Sequence, residues 1–452
     1  MGLADVCVVG GGLAGLSAAY HLYNLGLKPV VAEALDSVGG LLRSKYVGGF
    51  TFDTGGSHII FSRSREVLNS ILKILSGNYV RLRRNSKIYY KGLYIKYPFE
   101  NGLKDLPPQE RYECLRDLIE TYVGRVRGAI PKPRNFLEWI YYVFGRSIAE
   151  KYLVPYNTKI WKVDLEEISL EWVKGRVPNP PIDEVIKAAV GIDVEGYRHQ
   201  LTFYYPIKGG IQELAYSLRR FLNVNNVAVL VGEPVRYLSI DRSGYKRVCT
   251  ESRELMCRAV VFTASLKRSS SILSEVLGDL SKSLERLRSV PLAVVGLGVR
   301  GEPLPYHWIY FPNPDLIFHR VAYLSNYSRL NAPKNAYTLI AEVSFKDEGE
   351  LFTSSYRVLR RVVEGLEEVG ILKGSEVEVS EVWLWRDAYV IYDSMRSGIV
   401  SRVREELERV GVFMLGRFGE WEYLNMDAVF SRARGTALKV LSYLNKLPGN
   451  RY

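Results

Sequence analysis

The stretch Val6-Cys-Val-Val9, Gly10-Gly-Gly-Leu-Ala-Gly15, Leu16-Ser-Ala-Ala-Tyr20 decides the fold. Four residues of strand-forming type run into three glycines, and an apolar pattern with helical spacing follows. Gly26 stops that pattern where a helix-ending glycine is expected, and residues 29–33 read as the next strand. Strand, tight turn, helix and strand make the opening unit of a Rossmann-type fold. Gly10 permits the turn, Gly12 lets a diphosphate approach the backbone, and Gly15 lets helix and strand pack closely. The helix N-terminus offers N–H groups and a positive dipole end to the phosphates. Glu33, ending the second strand, is placed to accept hydrogen bonds from ribose hydroxyls, and its charge argues against a 2′-phosphate. A glycine-rich turn without a ligand is the weaker reading, because strand, helix and acidic residue all fall at the required spacing.

Further signals lie on either side. Gly39-Gly40-Leu-Leu-Arg43-Ser44 follows Glu33, and Phe52-Asp-Thr-Gly55-Gly56-Ser-His58 comes soon after. Near the end, Gly416-Arg417-Phe-Gly419 leads through Asp427 into a helical pattern. The Glu-x5-Gly-Gly-x2-Arg-Ser arrangement resembles that of amine-oxidase-type flavoproteins. The resemblance implies FAD rather than NAD, with Gly40, Arg43, Gly55, Gly56, Arg417 and Asp427 beside it.

At 452 residues the chain is too long for one core, so two or three domains are expected. Its 47% hydrophobic and 24% charged content excludes a disordered chain. No stretch reads as a membrane span. The apolar run 6–20 lacks a basic leader and follows Asp5, which argues against a signal peptide. Four cysteines without C-x-x-C or zinc spacing point away from disulfides and metal and towards a reducing cytoplasm. The net charge of +12 is spread along the chain, and its densest cluster, 81–87, is short. No nucleic-acid motif accompanies it, so no nucleic-acid partner is expected, and the field instead favours capture of an anionic substrate.

Helices are expected over 110–124, 135–142, 148–152, 183–190, 208–221 and 427–444, and strands over 203–205, 227–231, 259–263 and 412–415. Between 292 and 385 a series of β-branched and aromatic runs predicts strands at 293–299, 307–311, 318–325, 337–343 and 377–385. The fold class is therefore α/β, with α+β insertions. A discontinuous FAD-binding Rossmann-like domain takes 1–77, 203–265 and 405–452. A helical insertion takes 102–202, and an antiparallel β-sheet substrate domain takes 78–101 and 266–404.

A more specific resemblance rests on collinear segments. They are Phe52 to Phe61, Tyr97-Pro-Phe99, Pro155-Tyr-Asn157-Thr-Lys-Ile-Trp161, Trp172 to Val177, Phe203 to Gly210, Gly296 to Gly301, Trp308-Ile-Tyr310-Phe-Pro312, Phe318-His-Arg320 to Tyr327, and Gly416 to Asp427. In this order they resemble the UDP-galactopyranose mutase family, its eukaryotic-type branch above all. The resemblance implies a redox-neutral exchange between UDP-galactopyranose and UDP-galactofuranose on reduced FAD, with flavin N5 attacking the anomeric carbon and displacing UDP. It implies a UDP-sugar substrate and an external electron donor such as NAD(P)H, and leaves self-association open.

Arg176 and Arg320 match the family's diphosphate arginines, whose forked geometry suits phosphate oxygens. Their ordinary alternative is an interdomain ion pair. Tyr310, Tyr389 and Tyr423 match phosphate-binding tyrosines, although among 31 tyrosines packing is the common use. His58 is expected at the flavin edge near N5. Tyr97, Asn157, Trp161 and Trp308 are expected at the substrate, with Trp161 equally suited to a core. The loop carrying a mobile flap is expected at Gly175 or 178–181. Three departures stand out: Glu100 replaces the family's uracil-side glutamine, Ser57 is inserted before His58, and the flanks of Tyr389 lack the usual proline-rich sequence. Two other classes share the scaffold: a net oxidase of the amine-oxidase or protoporphyrinogen-oxidase type, and a flavoprotein with a binding or assembly task.

Overall fold

The structure is a computed structural model that describes residues 3–174, 176, 179–194, 201–353 and 355–447. Its first sheet has seven strands. β1 (Ala4–Val9) lies between β2 (Pro29–Ala32) and β12 (Glu254–Phe262), parallel to both. β9 (Val229–Leu230) adds beyond β2, and β18 (Val412–Met414) pairs in parallel with the last residues of β12. β10 (Val235–Ile240) and β11 (Lys246–Thr250) form an antiparallel hairpin on the first residues of β12. All six residues of β1 are buried, as a parallel strand covered on both faces requires. The covering helices include α1 (Leu13–Asn24), α7 (Glu213–Val224) and α13 (Met426–Asn445), with α1 packed on both others. The strand expected over 227–231 shrinks to two residues, because β2 offers β9 only Val31 and Ala32 as partners. The helix expected from 208 begins at Glu213, since Gly209 and Gly210 take the left-handed region at φ +88 and +65.

α2 (Arg65–Ile74) starts at Ser64, whose side chain accepts from Val67 N. The helical insertion comprises α3 (Pro108–Val126), α4 (Phe136–Ile148), α5 (Val154–Trp161) and α6 (Ile182–Ala189). Asn135 caps α4 by accepting from Glu138 N at 2.9 Å. The helix expected over 148–152 does not end there. A π-turn over Ala149–Leu153 carries it into α5, with Pro155 in the first turn of that segment.

The second sheet runs β17 (Val377–Val390), β13 (Ser289–Arg300), β16 (Ala336–Ser344), β15 (Arg320–Tyr323), β14 (Trp308–Tyr310), β6 (Ser86–Tyr90), β7 (Leu93–Lys96). Only the β14–β6 pair is parallel. Alternate residues of β13 serve two cores. Ala293, Val295, Leu297 and Val299 pack with Val358 and Val362 of α10 (Ser355–Glu368), whereas Leu292 and Val294 join the core of the first sheet. That junction explains Gly296 and Gly298. A Cβ on either would lie 2.7 Å from Phe52 or Phe50 of β4 (Phe50–Asp53), which pairs with β3 (Ser44–Val47). β5 (Val80–Arg83) pairs with β8 (Thr202–Tyr205). The short helices α8 (Ser274–Leu277), α9 (Glu348–Thr353) and α12 (Gly416–Gly419), with α11 (Arg396–Arg409), fill the periphery. Among the described residues no helix is long and apolar enough to cross a membrane.

Candidate functional site

The glycine-rich turn does what its spacing requires. Gly10 leaves β1 at φ +103, and a Cβ on Gly15 would fall 1.9 Å from Gly10 O, so only glycine lets α1 close on the turn. Gly12 caps α1 without a side chain, and a Cβ there would meet nothing nearer than 3.8 Å. The helix N-terminus thus lies against the backbone of Gly39 and Gly40, at φ +129 and +56, with Gly12 bridged to Gly39. Glu33 is 7% exposed; it accepts from Gly11 N at 2.5 Å and Leu35 N at 2.9 Å, which pins the carboxylate beside the turn. Arg43 pairs with Asp36 at 3.6 Å. Gly55 is required by packing, because its Cβ would lie 2.1 Å from Leu41 O, and Gly56 follows at φ +95. An uncapped helix N-terminus, a glycine-lined turn and a buried carboxylate just after the second strand are what a dinucleotide site needs, so the residues present fit FAD.

Two adjoining cavities lead away from this cradle, of about 250 and 740 Å³. The smaller is lined by Gly55, His58, Trp308 and Arg417; the larger by Glu100, Asn157, Trp161, Arg176 and Asp427. Tyr97, Tyr310, Arg320, Tyr389 and Tyr423 line both and form the passage between them. Residues that stand 300 positions apart in the chain are thereby gathered at one place. Gly10, Gly12, Gly15, Glu33, Gly40, Arg43 and Gly56 line neither cavity and belong to the cradle.

Arg320 and Glu342 face each other across the β15–β16 ladder. Arg320 Nε donates to Glu342 Oε1 and Nη2 to Oε2, both at 2.8 Å. Glu342 is 1% exposed and also accepts from Ser57 N at 3.0 Å and Tyr389 OH at 3.2 Å. Burial alone would raise its pKa, but the Arg320 guanidinium and His319 outweigh burial and hold it well below the usual carboxylate range. The inserted Ser57 is part of this seat, since its hydroxyl lies 2.6 Å from Tyr327 OH.

Arg176 is held differently. Its Nη2 donates to Tyr392 OH at 2.7 Å, Glu422 Oε1 at 3.1 Å and Tyr423 O at 3.1 Å, and its guanidinium lies 5.4 and 4.8 Å from the Trp172 and Tyr392 rings. Of the expected flap, Gly175 and Pro178 lie outside the described residues.

His58 Nδ1 lies 2.9 Å from Gly56 O. A carbonyl only accepts, so Nδ1 holds the proton and Nε2 remains an acceptor. Burial, reinforced by Arg417, lowers its pKa to about 4 and keeps the ring neutral. Arg417 lies 4.4 Å over the Tyr423 ring and donates to Leu424 O at 2.9 Å, and Asp427 sits in the first turn of α13. Tyr389 stacks on Tyr423 at 6.2 Å, and Tyr97 lies tilted against Tyr310 at 4.9 Å. Asn157 and Trp161 bear on the cavity but are tied to their helix. Asn157 Nδ2 donates to Leu153 O at 2.7 Å, and its Oδ1 accepts from Trp161 Nε1 at 3.2 Å. Trp161 is 3% exposed, so the core reading of this residue holds alongside its edge on the cavity.

Sequence reasoning missed Glu342, His319, Tyr156 and Tyr392. One signal was available for Glu342: a lone carboxylate in an otherwise apolar strand is a buried charge in need of a partner.

Comparison with known proteins fits this geometry. A sequence model described as flavin containing amine oxidoreductase matches residues 13–389. The chain is 24% identical over 335 residues to protoporphyrinogen oxidase of Homo sapiens, covering 66% of the chain and 68% of that protein. It is 21% identical to coproporphyrinogen III oxidase of Bacillus subtilis (strain 168), covering 98% and 99%. Among solved structures, reduced UDP-galactopyranose mutase superposes with a TM-score of 0.87 at 25% identity, over 97% of this chain and 96% of that one. A putative protoporphyrinogen oxidase from Exiguobacterium sp. 255-15 gives 0.75 at 19% identity, over 98% and 100%. With the family model spanning most of the chain and the glycine cradle built for a dinucleotide, this protein belongs to the flavin containing amine oxidoreductase family, and its cofactor is FAD.

Proposed function

We propose that this chain is a flavin-dependent isomerase of nucleotide sugars, interconverting UDP-galactopyranose and UDP-galactofuranose or a close UDP-sugar. The observation that carries the reading is the pair of arginines. Arg176 and Arg320 line one cavity, and that cavity opens through four tyrosines onto the chamber holding His58. The propionates of a porphyrinogen can pair with arginine but gain no charge during its oxidation, and oxidation of an amine has no use for two guanidinium groups at that place. Release of a nucleoside diphosphate does, because charge builds on the departing phosphate oxygens.

Reduced FAD, when bound, supplies the nucleophile for the anomeric carbon. The chain's own residues bind, orient and shield. Arg320 keeps Nε and Nη2 on Glu342, which leaves Nη1 among the described residues to donate to a phosphate. Tyr310, Tyr389 and Tyr423 offer hydroxyls around the same space. Neutral His58 presents Nε2 as an acceptor rather than a cation, so it can take a proton without adding charge beforehand. Glu100, 3% exposed, replaces an amide with a group that accepts from an imide N–H but cannot donate to a carbonyl. It therefore bears on which base is bound.

The test is direct. Dithionite-reduced protein is given UDP-galactofuranose, and the products are separated by chromatography. UDP-galactopyranose is expected with the reduced protein and is expected to be absent with the oxidised one. No conversion by FAD-loaded, reduced protein sinks the reading. A second reading, a porphyrinogen oxidase, draws on the names of the sequence relatives and on the apolar end of the large cavity at Phe136, Trp139, Ile140 and Phe144. It predicts rapid anaerobic bleaching of the flavin by protoporphyrinogen, with no spectral response to UDP.

A further inference from the structure

A third cavity, of about 240 Å³, shares no lining residue with the other two. It lies where α5, the loop after β14, the end of β16 and α10 meet. On α5, Tyr156, Asn157, Ile160 and Trp161 line the large cavity, while Lys159 and the helix-capping Lys162 line this one. Arg357 and Arg361 of α10 complete it. Four cations thus share a small space with one carboxylate, Glu350, whose Oε2 accepts from Lys346 N.

The negative end of the α5 dipole accounts for two lysines at its C-terminus. It does not account for two arginines one turn apart on another helix, where like charges repel. Among the described residues Lys162, Arg357 and Arg361 make no contact ion pair, although the Glu350 carboxylate attracts Lys162 from a greater distance. The floor is built rather than incidental. Lys159 is 7% exposed and donates to Phe311 O at 3.0 Å and Asn313 O at 2.7 Å, which leaves one of its three protons uncommitted. Burial, then Lys162, pulls its pKa down to about 7, a penalty that a bound anion would relieve. Arg357 and Arg361 are exposed and form the mouth. The volume is below the roughly 300 Å³ at which sites for drug-sized ligands begin, so a nucleotide sugar does not fit and a small anion does.

We propose that this cavity is a second anion site, taking a phosphate-class dianion on Lys159, Lys162, Arg357 and Arg361. Occupancy ties α5 to α10 and so braces the helix that carries Asn157 and Trp161 into the large cavity. Ser344, on the wall of the new site, lies 3.5 Å from His319 Nδ1, and His319 Nε2 lies 3.4 Å from Tyr389 OH, so the two cavities are also joined by polar groups. The binding claim stands whether or not the chain isomerises a sugar.

Isothermal titration of the FAD-loaded full chain tests it. The probes are sodium sulfate, inorganic phosphate and glucose 1-phosphate, at an ionic strength held constant with sodium chloride. A saturable one-to-one component is expected that survives Arg320→Ala and weakens at least tenfold in Arg357→Gln/Arg361→Gln. Equal affinity for sulfate and phosphate supports a free ion as the ligand, and tighter glucose 1-phosphate supports a phosphoryl group on an organic bearer. Lys162→Met, which leaves α10 intact, is expected to weaken the same component should the double variant fail to fold. The proposal is overturned by a component lost in Arg320→Ala yet kept in the α10 variant. It is equally overturned by the absence of any saturable component beyond what chloride gives.

Discussion

Arg320 and Arg176 line the same cavity but are held by opposite means. Arg320 stands in the middle of an antiparallel sheet, with a buried carboxylate opposite it in the ladder and two parallel hydrogen bonds fixing its plane. Arg176 stands in a loop, wrapped by backbone carbonyls, one tyrosine hydroxyl, one partly exposed glutamate and two aromatic faces. The first is oriented before any ligand arrives, because leaving Glu342 unpaired in the core is costly. The second has mostly neutral acceptors, and its one carboxylate, Glu422, is also paired with Arg432, so a phosphate can replace them at smaller loss. One jaw is fixed and the other can be re-formed around a ligand, and that division is what the predictions address.

Arg320→Ala should show the largest effect. It removes a transition-state donor, which lowers kcat/KM by about a hundred- to a thousandfold. It also strands Glu342, which destabilises the fold by about 3–5 kcal/mol, read by denaturant unfolding. The double variant Arg320→Ala/Glu342→Gln should regain much of the stability and none of the activity. Equal stabilities for single and double variants would break the contrast between the two arginines.

Acid is the next lever. Glu342 has a folded pKa held below its unfolded value, so its contribution to stability is full above about pH 4.5 and is lost as pH falls through the folded value. His58 works in a higher window. Its folded pKa, about 4, lies below the unfolded 6.5, so the unfolded chain binds the extra proton between those values. Stability from His58 is complete above pH 6.5 and declines from there towards pH 4. Half-buried His21 and buried His307, each lowered to about 4, add to the same decline. Unfolding free energy measured from pH 7.5 to 4.5 should fall along this curve, with a shallower slope in His58→Gln. An unchanged slope would mean that His58 is charged or exposed.

Arg176→Ala should cost about 1–2 kcal/mol in substrate binding, about a five- to thirtyfold rise in KM with kcat less affected, and little stability. A loss as large as that of Arg320→Ala would remove the distinction between fixed and re-formed jaws. Glu100→Gln should give the smallest change, within about tenfold in KM, but with a shift in preference among nucleotide bases. Titration of UDP and other nucleoside diphosphates against flavin fluorescence reads it.

The cradle was legible in the sequence because every part of it is local. Gly10, Gly12 and Gly15 fall within one turn between a strand and a helix, and Glu33 ends the next strand, so spacing alone assigns each a task. Five strands of the second sheet, β13 to β17, were legible from their apolar and aromatic content, and so were α1, α3, α4 and α13, whereas β6, β7, α10 and α11 went unread. Other elements left no clear mark. The hairpin of β10 and β11 carries lysine, arginine and serine among its apolar residues, and β9 is too short to show a period. The π-turn into α5 has no sequence signal of its own, since its residues are good helix formers.

By itself, then, the sequence determined the Rossmann-type opening, the cofactor class and the apolar alternation that builds two cores, because these depend on contacts between near neighbours. It also set Arg176 and Arg320 among the candidates, without saying what would hold them. Only the tertiary structure decided that Glu342 locks Arg320, that Ser57 belongs to that seat, and that Asn157 is tied to Leu153 and Trp161 while bearing on the cavity. Strand register and helix packing bring such groups together across large sequence separations, and a charge's partner is chosen by that register and not by its neighbours in the chain.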